Sequence, residues 1–280
     1  MTPSSPPTPK TLIIAEIGEN HIGDWDLARR MVAEAAKAGA DVVKFQSYRG
    51  EDVLPDDPEK EWFSRVELPD SLHFELKELA QRCGVEFLST PFTLERARFL
   101  CEKVGLTSLK IASSEMLNFP LLDYADRQAK KIYLSTGMAS IEEIREAVGH
   151  LTHVEELTIL HCVTQYPLQE EDAHLKAILV LKELFPRCRI GYSDHTIGSA
   201  AAVLAVALGA TAIEKHFTLD KSLPGTDHIL SATPEELKTM VASIRQAERL
   251  LGEKKKGPIP QEFKIRDQVR QRFRKEVHPS

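Results

Sequence analysis

What the sequence lacks narrows it first. No stretch of the 280 residues approaches the roughly 18 consecutive apolar residues of a membrane span, so no membrane partner is expected. The opening MTPSSPPTPK holds no apolar block of signal-peptide type, and its Pro and Ser content predicts a disordered tail over 1–10. The four cysteines (Cys83, Cys101, Cys162, Cys188) form no CxxC pair and no zinc spacing. That pattern predicts reduced, buried thiols in a cytoplasmic protein. Only the C-terminal segment is modestly basic and the net charge is −6, so nucleic acid is not an expected partner. Absent too are a GxSxG elbow, a Walker loop and a GxGxxG in a suitable context. Gly18 and Gly23 in GENHIG instead read as shaping a tight turn after a strand.

What is present is alternation. Short β-branched runs occur at 12–18, 41–47, 85–92, 108–115, 131–138, 156–163, 189–196 and 211–219. Helical patterns lie between them, such as DLARRMVAEAAKAG, SLHFELKELAQRCG, TLERARFLCEKVG and IEEIREAVGHL, and the last is PEELKTMVASIRQAERLLG. Glycine closes many of these helices, at Gly39, Gly84, Gly105, Gly209 and Gly252. Eight strand–helix units with short connections in about 240 residues predict an α/β fold, a (β/α)8 TIM barrel, over 11–252. Residues 253–280 then read as a linker and a C-terminal helix.

Each strand begins apolar and ends polar, and in this fold the C-terminal strand ends carry the active site. The polar ends run from Glu16, Lys44 and Gln46 through Ser89, Thr90, Lys110, Ser113, Glu115, Ser135, Thr136, His161 and Thr164. They finish with Ser193, Asp194, His195, Glu214, Lys215 and His216. Period-two alternation puts Lys44 with Gln46, and Glu214 with His216, on shared faces, and leaves Lys215 on the other. Lys44, Lys110 and the hydroxyls suit a small phosphorylated carboxylate. His195 and His216, on neighbouring strands, are close enough to share a metal ion whose shell water or substrate would complete. Glu16 is a candidate acid, base or hydroxyl acceptor.

The segments AEIGENHIGD, GADVVKFQSY, FLSTPF, LKIASSE, YLSTGM, LHCVTQYP, GYSDHTIG, AIEKHFTLD and LPGTDH resemble, in order, the sialic acid (N-acetylneuraminate) synthase family. Legionaminic and pseudaminic acid synthases belong to the same family. The resemblance implies a cytoplasmic transferase that condenses phosphoenolpyruvate (PEP) with an aldose or N-acetylated aldose, such as N-acetylmannosamine. The products would be a nine-carbon 2-keto sugar acid and phosphate. It implies that Lys110, Ser193, Ser135 and Thr164 hold the PEP phosphate, and that Lys44, Thr90 and Ser113 hold its carboxylate. It further implies that His195 and His216 bind Mn2+ or Mg2+, that Gln46, Tyr166 and Asp227 face the sugar with Glu16, and that Glu214 lies beside a metal-bound water. Glu16 and Glu214 are the implied catalytic carboxylates. Histidine ligation would make activity fall as pH drops through 6–7.

Two departures from the family pattern stand out. Ser114 occupies the usual glycine of the KIxSGE motif. Relatives usually continue into an antifreeze-like C-terminal domain that covers the partner's barrel and gives an arginine to the sugar, and no such domain follows residue 252 in this sequence. A homodimer and a separate cap domain are the expected protein partners; by this chain alone, recognition of the sugar's N-acetyl group is expected to be weak, and efficient synthesis would instead require a stand-in for the arginine, such as Arg270, Arg272 or Arg274. The long segment 49–70, with eight acidic and three basic residues, is expected to be a mobile rim on the sugar side. Rival readings are a synthase of an eight- or seven-carbon keto acid, a Schiff-base aldolase using Lys44 or Lys110, and a sugar-acid-binding barrel without turnover.

Overall fold

In the computed structural model, which describes residues 10–272, eight parallel strands stand where the apolar runs fall. They are β1 (Leu12–Gly18), β2 (Val42–Ser47), β3 (Glu86–Pro91), β4 (Ser108–Ile111), β5 (Lys131–Ser135), β6 (Glu156–Cys162), β7 (Arg189–Asp194) and β8 (Ala212–His216). Ladders run in the order β3-β2-β1-β8-β7-β6-β5-β4. β3 and β4 lie side by side without a ladder between them, which brings the sheet round into a nearly closed (β/α)8 barrel. Of the tail expected over 1–10, only Lys10 falls within the described residues; Arg274 lies outside them.

The helices form where caps and periodicity agree. α1 (Trp25–Ala38) starts at Asp24, whose carboxylate accepts from the backbone of Asp26 and Leu27, and stops at Gly39 with φ +98°. Ser140 and Glu143 make a capping box for α6 (Ile141–Gly149), and Thr233 and Glu236 make one for α9 (Pro234–Leu251). α3 (Asp70–Arg82), α7 (Ala177–Leu184) and α8 (Ala200–Ala207) complete the expected set. Among the described residues, no helix is long and apolar enough to cross a membrane.

Three regions depart from the expectation. The helix of the fourth unit, for which no segment is singled out in the sequence, is α5 (Phe119–Gln128), capped by the Asn118 side chain. The helix expected from TLERARFLCEKVG is a short α4 (Leu94–Arg98) that widens into a π turn over Phe99–Lys103. The rim at 49–70 is structured: it contains a 3-10 turn (Gly50–Asp52) and α2 (Lys60–Val66). Arg49 pins it by bonds of 2.8 Å to Glu67 and 2.7 Å to Asp70, and Arg96 adds one of 2.8 Å to Asp70. These charge-assisted contacts tie the two ends of the segment to each other and, through Arg96 of α4, its C-terminal end to the body of the barrel. α10 (Pro260–Gln271) carries exposed Phe263, Ile265 and Val269.

Alternation sorts the strand residues. Ile14, Val42, Leu88, Tyr133, Leu160 and Ala212 pack as an apolar plug inside the barrel, while a larger core lies between sheet and helices. Two residues further along the same strands, the inward positions become Glu16, Lys44, Thr90, Ser135, Cys162 and Glu214. A polar layer therefore rests directly on the plug.

Candidate active site

A cavity of about 550 Å3 opens at the C-terminal end of the barrel. Strands β1 to β4 and the turn after β4 contribute Glu16, Lys44, Gln46, Thr90, Lys110 and Ser113 to its wall. From the second half of the barrel come Ser135, Thr164, Tyr166, Ser193, His195, Glu214 and His216, and the loop after β8 adds Asp227. Every site residue proposed from the sequence thus faces one space, and Ser114 lines it too.

Its floor is a web of buried charges. Lys44 Nζ lies 3.0 Å from Glu16 Oε2 and 3.5 Å from Glu214 Oε2, and donates to Thr90 Oγ1 at 3.2 Å. Lys110 Nζ lies 3.5 Å from Glu214 Oε1, which also accepts from Ser193 Oγ at 2.8 Å. Burial alone would lower the Lys44 pKa, but Glu16 and Glu214 outweigh it and raise it. For Lys110 burial prevails over Glu214, helped by the neighbouring Lys44 charge, and the pKa falls. Burial would raise Glu214, yet the two lysines and Ser193 hold it well below the usual carboxylate range. Lys110 is the less compensated cation of the pair.

Four buried polar atoms in this layer have no hydrogen-bond partner: Glu16 Oε2, Ser135 Oγ, Glu214 Oε2 and His216 Nδ1. Glu16 Oε2 has the Lys44 ammonium at 3.0 Å and His216 Nδ1 has Asp227 Oδ2 at 3.2 Å, close enough for attraction but not aligned as hydrogen bonds. Orphaned polar atoms are rare in folded interiors, and a group of them facing a cavity is what a polar ligand would satisfy.

Two glycines shape the walls. Gly18 has φ +53°, and a Cβ there would lie 3.0 Å from Glu16 Oε1. Its left-handed turn keeps the Glu16 carboxylate free, with Gln46 Nε2 donating to Oε1 at 3.5 Å. Gly137 comes closer still: a Cβ would stand 2.2 Å from Thr164 Oγ1 and 2.9 Å from Ser113 Oγ. The Gly137 N–H donates to Ser113 Oγ at 2.9 Å, so backbone and hydroxyls form a close-fitting polar nook.

The histidine rings are 5.5 Å apart between centroids, with Tyr166 4.1 Å from His195 and 5.9 Å from His216. His195 Nδ1 lies 2.7 Å from the Val163 carbonyl, which fixes a tautomer with Nε2 as its free nitrogen. Burial, with the neighbouring His216, pushes the His195 pKa down to about 3. The acid limit expected at pH 6–7 therefore does not apply to this ring. Among the described residues, no group of three or more His, Cys, Asp and Glu side chains is arranged to hold a metal ion.

Several polar strand-end residues point elsewhere. Ser89, Thr136, His161, Asp194 and Lys215 are buried outside the cavity wall; His161 Nε2 meets the Ala173 carbonyl and Thr136 Oγ1 donates to that of Leu160. Glu115 is engaged by Asn118. Arg270 and Arg272 are exposed and do not line the cavity. All four cysteines are free, but only Cys162 is buried, and it faces the cavity; the others are half-buried rather than buried as expected. Sequence reasoning missed Glu19, Gly137 and Cys162. Glu19 sits in a turn where no strand period applies, and Gly137 has no side chain to read.

Two lysines, a histidine pair and hydroxyls thus converge at the mouth of a parallel (β/α)8 barrel. The family model described as NeuB family matches residues 31–256. An uncharacterised protein of Methanocaldococcus jannaschii is 47% identical over 255 residues, covering 90% of this chain and 75% of that protein. The N,N'-diacetyllegionaminic acid synthase of Legionella pneumophila is 40% identical over 279 residues, covering 92% and 78%. The crystal structure of N-acetylneuraminic acid (sialic acid) synthetase from Leptospira borgpetersenii, in complex with citrate, matches with a TM-score of 0.88 at 38% identity, covering 95% of this chain and 93% of that one. The chain belongs to the NeuB family, whose named relatives include synthases of sialic-acid-type sugar acids.

Proposed function

We propose that this barrel condenses PEP with an N-acetylated aldose, N-acetylmannosamine among the candidates, to give a nine-carbon 2-keto sugar acid and phosphate. The observation that carries the reading is the convergence of Lys44 and Lys110 on Glu214 at the cavity floor, each at 3.5 Å. Two ammonium groups set side by side at the end of a short cavity suit a ligand with two anionic ends. Lys44, Thr90 and Ser113 would hold the carboxylate. Lys110, Ser135, Thr164 and Ser193 would hold the phosphate, with Thr164 positioned by its close packing on Gly137.

A divalent cation fits the charge balance. Glu16 and Glu214 already offset the two lysines, while PEP brings roughly two and a half to three negative charges. His195 and His216 would hold Mn2+ or Mg2+, since the Nδ1 of each faces an acceptor, Val163 O or Asp227, and Nε2 is left to bind. Bound there, the ion supplies Lewis-acid polarisation of the aldehyde oxygen.

The chain's own groups would do the rest. Lys44 and Lys110 fix PEP so that its C3 faces the aldehyde carbon, and the new C–C bond leaves positive character at C2. Water adds to C2; of its two protons, Glu214 would relay the first to the former aldehyde oxygen, which becomes a hydroxyl as its C=O π bond is lost, and the second would leave as the 2-keto group forms. The resulting tetrahedral carbon expels phosphate by C–O cleavage, leaving the 2-keto group, while Lys110 and the hydroxyls offset the leaving charge. Glu16, Gln46, Tyr166 and Asp227 would accept from and donate to the sugar hydroxyls. A second copy of the chain and a separate cap domain are the proposed protein partners.

The test is release of inorganic phosphate from PEP with a panel of aldoses and added Mn2+. Aldose-dependent release with formation of a 2-keto acid is expected. No release with any N-acetylated aldose, with or without a cap domain in trans, would rule the reaction out.

A further inference from the structure

The cavity differs in charge between floor and rim. Lys44 and Lys110 lie at the floor, whereas the surrounding loops add three carboxylates, Glu19, Glu59 and Asp227, beside His195 and Tyr166, and, among the described residues, no lysine or arginine. Cations of the nearby 49–70 segment are engaged elsewhere. Arg49 is bonded to Glu67 and Asp70, Lys60 to the Val53 carbonyl, and Arg65 lies 4.5 Å over the Trp62 ring, outside the cavity wall. Among the described residues, no arginine lines the cavity.

Glu19 is held in place. Tyr48 OH donates to its Oε1 at 3.1 Å, and Trp62 Nε1 donates to its Oε2 at 2.6 Å. Tyr48 follows β2 and Trp62 belongs to α2, so the carboxylate ties the first βα turn to the second. The Trp62 ring in turn packs on the turn after β8: a Cβ on Gly225 would lie 3.3 Å from it. Burial pushes its pKa up to about 7 against the pull of these two donors, so it carries its full charge above neutral pH, and fixed by both it cannot swing away from an incoming anion.

We infer that Glu19, with Glu59 and Asp227, makes this barrel select acceptor sugars that are uncharged at the end remote from the aldehyde and reject their terminal phosphates. The inference rests on the proposed condensation. With PEP on the floor lysines and its C3 against the aldehyde carbon, the remote end of an extended aldose reaches the rim. A phosphate there meets fixed carboxylates, finds no free cation, and loses hydration without replacement. A hydroxyl or acetamido group meets acceptors that it can satisfy. Repulsion of the wrong ligand is a common source of specificity.

The experiment compares N-acetylmannosamine, mannose and arabinose with N-acetylmannosamine 6-phosphate, mannose 6-phosphate and arabinose 5-phosphate. Both kcat/KM with PEP and Mn2+, and equilibrium binding of each sugar with Mn2+ alone, are measured. A preference of about 100-fold for the uncharged member is expected, and Glu19→Gln should narrow it about tenfold by improving the phosphate. Burial pushes the Glu19 pKa up to about 7, so the preference should also grow between pH 6 and 8, and grow less in Glu19→Gln, which a merely structural role for Glu19 would not produce. A ratio near one in the unaltered protein, or a preference that Glu19→Gln, Glu59→Gln and their combination all leave unchanged, would overturn the inference. If no aldose supports phosphate release, the condensation fails alone, and the binding preference still decides the selectivity.

Discussion

Behind the barrel wall, Lys215 Nζ lies 3.0 Å from Asp194 Oδ2, and each residue immediately precedes a histidine that faces the cavity. Asp194 Oδ1 also accepts from the backbone and hydroxyl of Thr196, at 2.9 and 2.8 Å, and Lys215 donates to the Thr196 carbonyl. The ends of β7 and β8 are thereby joined on the outside where His195 and His216 meet on the inside. Both members of the pair are buried, so removing one leaves the other uncompensated. Lys215→Met should cost about 3–5 kcal/mol of stability. It should also weaken Mn2+ binding measured by calorimetry, whereas Asp194→Leu/Lys215→Met together should recover most of the stability without the binding. Unchanged Mn2+ affinity in a folded Lys215→Met protein would separate the pair from the histidines.

Lys110→Met is the cleaner test of PEP anchoring. Its ammonium is the less compensated of the two, so its loss should lower PEP affinity by one to two decades, about 1.5–3 kcal/mol. Lys44→Met also strands Glu16 and Glu214, so a drop in melting temperature should accompany its affinity loss. Adding Glu16→Gln to Lys44→Met should restore part of that stability but not PEP binding. Calorimetric titration of PEP into each variant decides the matter.

At Gly137 the backbone packs directly against the Thr164 and Ser113 hydroxyls, leaving no space for a side chain. A Cβ 2.2 Å from Thr164 Oγ1 must displace that hydroxyl or the loop that carries it. Gly137→Ala should raise the KM for PEP about tenfold or more, with little change in the KM for the sugar. Equal changes in both would place the effect outside the phosphate nook.

Chelation should abolish turnover and Mn2+ should restore it. The His195→Ala/His216→Ala protein should stay inactive at any Mn2+ concentration. Full activity of that variant in excess chelator would remove the metal from the proposal. Because the His195 ring is neutral down to about pH 3, an acid limb near pH 6–7 is not expected from it.

His73 supplies a pH test unconnected to catalysis. The ring is buried, its Nδ1 3.1 Å from the Pro69 carbonyl and its edge against Phe99. Burial, only partly offset by Pro69, pushes its pKa down to about 4. Between about pH 4 and 6.5 the unfolded chain then binds the extra proton, so stability is full above 6.5 and declines as pH falls towards 4. His73→Leu should reduce that decline by up to about 3 kcal/mol in denaturant titrations, with His21, lowered in the same way, accounting for part of what is left. An identical slope in variant and wild type would show that His73 does not titrate differently on folding.

Much of this was legible in the residues. Each strand's apolar start and polar end marked both the plug and the layer above it, because inward positions recur every second residue. Lys44 and Gln46, or Glu214 and His216, could be assigned to one face on that rule alone. Strand ends were ambiguous, so Ser89, His161 and Asp194 read as mouth residues although parity turns them outward, whereas Lys215 was assigned to the opposite face. Helix α5 escaped notice because a proline near its start and a short apolar stripe resemble a loop, and its Asn118 cap is only clear once the turn is formed. Segment 49–70 read as a mobile rim or a solvated loop because of its length and its many acidic residues. Its order comes from Arg49 and Arg96 reaching Asp70, contacts that sequence spacing does not reveal.

The unladdered seam between β3 and β4 has a mechanical consequence. A barrel resists opening through its continuous hoop of hydrogen bonds, and at this seam the hoop is interrupted. Lys44 and Thr90 stand on one side of the interruption, Lys110 and Ser113 on the other. A ligand gripped by both sets would act as a tie across the gap and stiffen the barrel at its weakest circumference. Backbone amides of β3 and β4 should then exchange with solvent more slowly when PEP is bound, by a larger factor than those of β6 and β7 at the far side.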